Sequence, residues 1–228
     1  MNRILIGAPV RQDEETFVKY LKSLRNLNTE GLQVDFFFIL HNSENLAKHL
    51  EPQQYELYES NNEYIKNDTH VWTNENLKDV IIMKNALIRK ALIGKYDYFF
   101  LVDSDLILHE DTLQHLIKQE KHIISEIFWT RWTTERDEEP NAWQYDFYSF
   151  HDLDKIKDWR IKGVYEVGGT GACILIKSEV LESFVNYNPI KNISFSLWED
   201  RAFCIRASVA GFKIYLDTNY PATHLYRR

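Results

Sequence analysis

The chain has 228 residues, with 27 Lys and Arg against 34 Asp and Glu, a formal charge of −7. That length suits one large domain or two small ones, and 44% hydrophobic with 27% charged residues excludes disorder, collagen and coiled coil as descriptions of the whole. The acidic balance argues against a nucleic-acid binder, which needs a basic face to displace counterions from phosphates, and no apolar run approaches the ~18 residues of a membrane span.

In chain order, Arg3 to Ala8 is a short apolar run closed by Pro9, read as a strand. Asp13-Glu14-Glu15 opens a helix in which Phe17, Leu21, Leu24 and Leu27 form one buried stripe. Val34 to Leu40 is a continuous apolar run, too short for a lone helix, and reads as a strand buried on both faces. Residues 60–76 are an irregular polar excursion. A helix is expected from Leu77 to Leu92, stopped by Gly94, and a third buried strand from Asp97 to Leu108 with acids at its end. Thr112 to Lys118 is helical and His122 to Phe128 is another strand. Strands alternating with helices imply an α/β fold, an α/β/α sandwich with a mostly parallel central sheet. Ligands then bind beyond the carboxyl ends of the strands.

Residues 129–159 are aromatic and charged with little periodicity; Trp129, Trp132, Trp143, Tyr145 and Trp159 form either a stacking platform for an acceptor or the packing of a small subdomain. Gly168-Gly169-Thr170-Gly171 precedes a strand from Ala172 to Ile176, and Ser178 is the expected N-cap of a helix carrying Val180, Leu181 and Phe184. The last helix begins near Trp198 and ends at Gly211. It is followed by a strand from Phe212 to Leu216 and a polar tail holding His224. No repeat or linker divides the chain, so one domain over 1–228 is expected. Cys173 and Cys204 lie in apolar stretches, as buried free thiols do. With no apolar leader at the N-terminus, they point to a cytoplasmic protein, peripheral membrane contact remaining open.

Asp103-Ser104-Asp105 is the strongest candidate for chemistry. Strand alternation would turn both carboxylates to one side, where they can share a divalent cation. The same spacing recurs at Asp152-Leu153-Asp154, but there the acids sit among Lys and His. Asp103 and Asp105 instead close an apolar run, where unpaired acids are costly to desolvate. Glu199 and Asp200 fall in a helix first turn, where the dipole would hold a carboxylate ionised and aimed outward, as a general base requires. An imidazole such as His224 beside two carboxylates suits Mn²⁺ or Mg²⁺.

In this order, Ala8-Pro9-Val10-Arg11, Asp103-Ser104-Asp105, Gly168-Gly169-Thr170-Gly171-Ala172, Trp198-Glu199-Asp200-Arg201 and His224 resemble the GT-A glycosyltransferases, family 2-type enzymes in particular. The segments LVDSDLILHEDTLQHLI and WEDRAFCIRASVAGFKIYLDT carry the resemblance most specifically. It implies a hexosyltransferase moving a sugar from a nucleoside diphosphate donor, a UDP-sugar, to a glycan, lipid-linked or protein acceptor hydroxyl with inversion. Residues 1–128 would form the donor half and 129–228 the acceptor and catalytic half. Asp103, Asp105 and His224 would hold the metal; Ala8, Pro9, Val10, Arg11, Asn42, Lys84, Asn85 and Ser104 would join the acids in binding the donor. Asp200 would be the base, with Glu199 beside it, and Trp132, Gly169, Thr170 and Trp198 would meet the acceptor. The second strand ends in His41-Asn42-Ser43 rather than the family's acid, which leaves the nucleotide base open. The chain stops four residues after His224, without appended membrane-docking helices. A nucleotidyltransferase, or a catalytically silent carbohydrate-binding protein on the same scaffold, remains an alternative; a single glycine in Gly7-Ala8-Pro9-Val10-Arg11-Gln12 counts against the former.

Overall fold

The computed structural model describes residues 1–62, 73–131, 137–144, 157–192 and 198–225. Its strands are β1 (Asn2–Val10), β2 (Leu32–His41), β3 (Tyr55–Tyr58), β4 (Tyr98–Leu101), β5 (Leu106–Ile107), β6 (Ile123–Thr130), β7 (Glu139–Pro140), β8 (Ala142–Trp143), β9 (Val164–Val167), β10 (Gly169–Thr170), β11 (Ile174–Lys177) and β12 (Ile214–His224). The helices are α1 (Glu14–Arg25), α2 (Asn74–Ile93), α3 (Thr112–Lys118), α4 (Ser178–Glu182) and α5 (Glu199–Val209).

The central sheet runs in the order β3-β2-β1-β4-β11-β6-β12-β5, with β7 added to β6 and β9 to β12. From β3 to β12 the strands share one direction except β11, which is antiparallel to both β4 and β6. The expected mostly parallel α/β sheet is therefore present. The chain builds outward from β1 to β3 and then returns to place β4 on the other side of β1. This reversal makes the carboxyl ends of β1 and β4 the switch point of the sheet, where the crevice that binds ligands lies in sheets of this kind.

Strand alternation feeds two cores. Ile4, Ile6, Phe38, Leu40 and Phe100 pack with Phe17, Tyr20, Leu21 and Leu24 of α1 and with Leu113 and Leu116 of α3. On the other face Leu5, Phe37, Ile39, Phe99 and Leu101 meet Met83, Leu87 and Ile88 of α2, Val180 and Leu181 of α4 and Phe203 of α5. The result is three layers. Gly7 is required where α2 crosses β1, since a Cβ there would lie 2.2 Å from the Phe37 carbonyl oxygen and 3.2 Å from Leu87.

Several boundaries differ from the sequence reading. Helix α2 begins at Asn74, because the Thr73 hydroxyl accepts from the Asn76 amide and caps it. The expected strand from Asp97 to Leu108 breaks into β4 and β5 around a turn at residues 103–105, and β5 pairs not with the main run but with the far end of β12. Ser178 is the first residue of α4, Lys177 being its cap, and Phe184 is 85% exposed in the left-handed region rather than buried. The last strand extends through His224, so that residue ends a strand instead of lying in a tail. Both cysteines are free and buried. Among the described residues no helix is long and apolar enough to cross a membrane.

Candidate active site

The turn carrying Asp103, Ser104 and Asp105 sits at the carboxyl end of β4 and is fixed from both sides. Tyr20 of α1 is fully buried, and its hydroxyl donates to the Val102 carbonyl at 2.7 Å. The Leu225 amide donates to the Asp105 carbonyl at 2.8 Å and brings the end of β12 against the turn. His224 thereby places Nε2 3.3 Å from Asp105 Oδ2, while its Nδ1 lies 3.0 Å from the Thr130 hydroxyl. The tautomer protonated at Nδ1 would turn the Nε2 lone pair towards Asp105, the form in which the two side chains can share a cation. Asp103 lies within electrostatic reach of both Asp105 and His224, and desolvation raises its carboxyl above the usual range. Because these acids occupy a turn, strand alternation is not what groups them. Among the described residues no three His, Cys, Asp or Glu side chains converge closely enough to enclose a metal ion. The Asp105–His224 pair still has the oxygen-plus-imidazole character that suits Mn²⁺ or Mg²⁺.

Across the crevice, Glu199 and Asp200 occupy the first turn of α5, as expected. Lys84 of α2, 3% exposed, donates to Glu199 Oε1 at 2.9 Å and to Asp200 Oδ1 at 2.7 Å. Burial would lower the lysine's proton affinity, but Asp200, Glu199 and Asp103 outweigh it and hold the ammonium well above its ordinary range. Asp200 goes the other way. Burial pushes it up to about 7, with Lys84 opposing and Glu199 and Asp103 adding to the rise. The helix dipole therefore does not keep this acid fully ionised; desolvation and like charge dominate.

The turn opposite Asp200 is held by Asn141. Its side-chain amide donates to the Ser125 hydroxyl and to the Glu126 and Gly171 carbonyls at 3.0–3.1 Å, and its backbone carbonyl accepts from the Gly171 amide at 2.9 Å. A Cβ on Gly171 would lie 2.4 Å from Asp200 Oδ2, so glycine is what lets the turn approach the acid. Ala172 and Cys173 follow with φ of 46° and 45°. Two such residues in succession are strained, and strain of this kind collects at functional sites.

A model of the glycosyltransferase family 25 N-terminal domain matches residues 37–223, most of the chain. The chain belongs to this glycosyltransferase family. Solved structures agree at the level of fold. A197 from STIV is 14% identical with a TM-score of 0.54 over 98% of this chain and 85% of its own. The mannosyltransferase PcManGT from Pyrobaculum calidifontis, in complex with GDP-Man and Mn²⁺, is 11% identical with a TM-score of 0.57 over 97% and 56%. GalNAc-T7 with UDP, GalNAc and Mn²⁺ is 12% identical with a TM-score of 0.60 over 99% and 44%. The chain thus spans about half the length of these two transferases. No curated protein sequence matches it. The GT-A resemblance drawn from the sequence holds, and the matching family is family 25.

In this family 25 domain the other expected site residues divide. Pro9 and Arg11 are half-buried at the end of β1, whereas Ala8 and Val10 are fully buried beneath α1, so their side chains belong to the core and not to a donor pocket. Asn42 clamps Ser60, donating to its carbonyl at 2.8 Å and accepting from its amide at 3.0 Å. Asn85 holds the segment before α5 through the Tyr187 amide and the Asn188 side chain. Both are structural ties, and Lys84 points to the α5 acids rather than standing free for a diphosphate. Ser104 is buried within its turn. Thr170 is 1% exposed and hydrogen-bonded to Asn141, and Gly169 lies against Trp143, so both stand behind the rim. Trp198 is 51% exposed beside the acids. Trp129, Trp143 and Trp159 pack on the α2-side core, which favours the packing reading for them; Trp132 and Tyr145 lie outside the described residues.

Four residues escaped the sequence reading: Tyr20, Asn141, Asp79 and Glu126. Asp79 of α2 accepts from Tyr58, Ser60 and Asn62 and lies 3.6 Å from His41, forming a buried polar knot where β2 and β3 end. An acid between Leu77 and Val80 of a helix was its available signal. Glu126 of β6 is fully buried beside Asp217, which in turn bonds His115 at 2.9 Å.

Proposed function

We propose that this family 25 domain transfers a hexose from a nucleoside diphosphate-sugar, a UDP-sugar, to an acceptor hydroxyl with inversion. The carrying observation is the meeting, at one sheet crevice, of the Asp103–Asp105 turn with His224 on one side and the Lys84–Glu199–Asp200 group on the other. Residues 1–128 supply the donor side, through Pro9, Arg11 and the acid turn. The later half supplies the acceptor side, through Trp198 and the Gly171 turn. The acceptor is a glycan, lipid-linked or protein hydroxyl, and the half-exposed Trp198 offers a face on which a sugar ring stacks.

Asp105 and His224 would hold a Mn²⁺ or Mg²⁺ ion, with Asp103 beside them. When bound, the ion neutralises the leaving diphosphate as a Lewis acid. Asp200 takes the acceptor proton at Oδ2 as the hydroxyl attacks the anomeric carbon; a carboxyl at about 7 is poised for that exchange near neutrality. Glu199 shares the Lys84 ammonium and keeps the acid in place. The Mn²⁺-bound transferases of the same fold support this reading.

Thermal shift of the purified chain against a panel of nucleotide-sugars with Mn²⁺, followed by assay of released nucleoside diphosphate, tests it. The correct donor raises Tm by mass action and is slowly hydrolysed. A panel with no shift and no release refutes it; pyrophosphate release from a sugar phosphate with a nucleoside triphosphate would instead identify a nucleotidyltransferase.

A further inference from the structure

The Asp200 carboxylate is divided between two tasks. Oδ1 receives the Lys84 ammonium at 2.7 Å, while Oδ2 looks towards Gly171, close enough that a Cβ there would lie 2.4 Å away. Lys84 has no latitude in this arrangement. It is 3% exposed, it also bonds Glu199 Oε1 at 2.9 Å, and its nitrogen lies 5.1 Å from the centroid of the Tyr187 ring.

Resting on the reading of Asp200 as the base, we propose that Lys84 is a positioning residue: it holds Asp200 in its proton-accepting form and presents Oδ2 to the acceptor hydroxyl. During transfer the acceptor O–H bond breaks towards Oδ2 as its oxygen bonds to the anomeric carbon; the bond from that carbon to the donor diphosphate breaks, and the diphosphate leaves with the electron pair. Lys84 keeps its own proton throughout.

The charges around Asp200 show why a cation is needed there. Lys84 faces it from α2, Glu199, Arg201 and Cys204 belong to its own helix, Asp103 comes from the turn after β4, and Tyr187 lies beneath the lysine. Glu199 and Asp103 both favour the protonated acid, as does desolvation, and Lys84 is the cation bonded to it. Without that ammonium the buried acid would keep its proton at neutral pH and could not accept another. A purely structural tie between α2 and α5 would also move the Asp200 midpoint, since an ion pair and a proton compete for the same carboxylate, but it would leave the acid limb of kcat where it is.

The test follows the Asp200 carboxyl by NMR in full-length chain labelled at aspartate, assigned with D200N, alongside the pH profile of nucleotide-sugar turnover with saturating Mn²⁺. The wild-type midpoint is expected at about 7. In K84M it moves up by about 1–3 pH units, the usual effect of losing an adjacent opposite charge; the acid limb of kcat moves with it and donor KM is unchanged. K84R brings both back towards wild type, and E199Q shifts them down because a like charge has gone. An unmoved midpoint in K84M, or a kcat acid limb that stays put while the midpoint moves, overturns the proposal. Should K84M fail to fold, a wild-type acid limb of kcat that does not coincide with the Asp200 midpoint overturns it equally. If wild type turns over no donor, the function reading fails and the carboxyl titration alone decides the role of Lys84.

Discussion

Replacing Gly171 by alanine adds one methyl group opposite Asp200, the base of the proposed reaction. Gly171 is not in the left-handed region, so alanine suits its backbone and the whole effect falls on the neighbour. The new Cβ would sit 2.4 Å from Asp200 Oδ2, whereas real Cβ atoms keep at least 3.0 Å, so something must yield by about 0.6 Å. The turn cannot yield cheaply, because Asn141 holds both the Gly171 amide and its carbonyl. The carboxylate therefore swings away and its bond to Lys84 is broken, a charge-assisted contact contributing about 1.5–3 kcal/mol. A misplacement of about 1 Å at a reacting group costs about 10²-fold in rate, so the shift of about 0.6 Å sets a smaller loss. G171A should thus lose about tenfold or more in kcat and a few degrees in Tm, with donor affinity intact. Steady-state transfer kinetics, donor titration calorimetry and thermal melting measure the three quantities. A G171A protein with wild-type kcat would refute the assignment of Asp200 as the base, or the idea that its position matters.

Gly7 is constrained by backbone, because its added Cβ would meet the Phe37 carbonyl oxygen at 2.2 Å; G7A should lose about 1–3 kcal/mol or more in urea unfolding, and an unchanged midpoint would contradict the packing described. D105A should retain its apo melting temperature within a few degrees but lose the Mn²⁺-dependent stabilisation by donor; equal donor-plus-Mn²⁺ shifts in the two proteins would remove Asp105 from the metal site. Glu126 is pushed from 4.5 up to about 9 by burial, helped by Asp217. Its folded form keeps a proton that the unfolded chain releases, so stability falls as pH rises between about 4.5 and 9. E126Q has no such proton, so its Tm relative to wild type should climb across that window, and parallel pH profiles would show that Glu126 is not the source.

How much of this was readable beforehand depends on the range of the interaction. The strands of β1, β2 and β4 announced themselves because burial on both faces requires unbroken apolar runs, and the acids of α5 fell in a recognisable first turn. Asp103 and Asp105 were found by their oddity after Phe99, Phe100, Leu101 and Val102. Pairings across the chain left no local trace. Lys84 and Asp200 are separated by 116 positions, and nothing near Lys84 distinguishes a buried bridge from a solvated helix lysine. Asn141, in a stretch without periodicity, looks like any loop asparagine until β6 and the Gly171 turn close around it. Asp200 was misjudged in sign for the same reason, since its helix position is local but its desolvation comes from residues far away in sequence.

Asn141 joins β6 to the Gly171 turn entirely through neutral amide, carbonyl and hydroxyl contacts. Such contacts are indifferent to salt and to the gain or loss of protons, unlike the ionic group they confront. That wall can therefore stay put whether Asp200 is charged or neutral, an unaltered mould around an acid whose own charge is free to change.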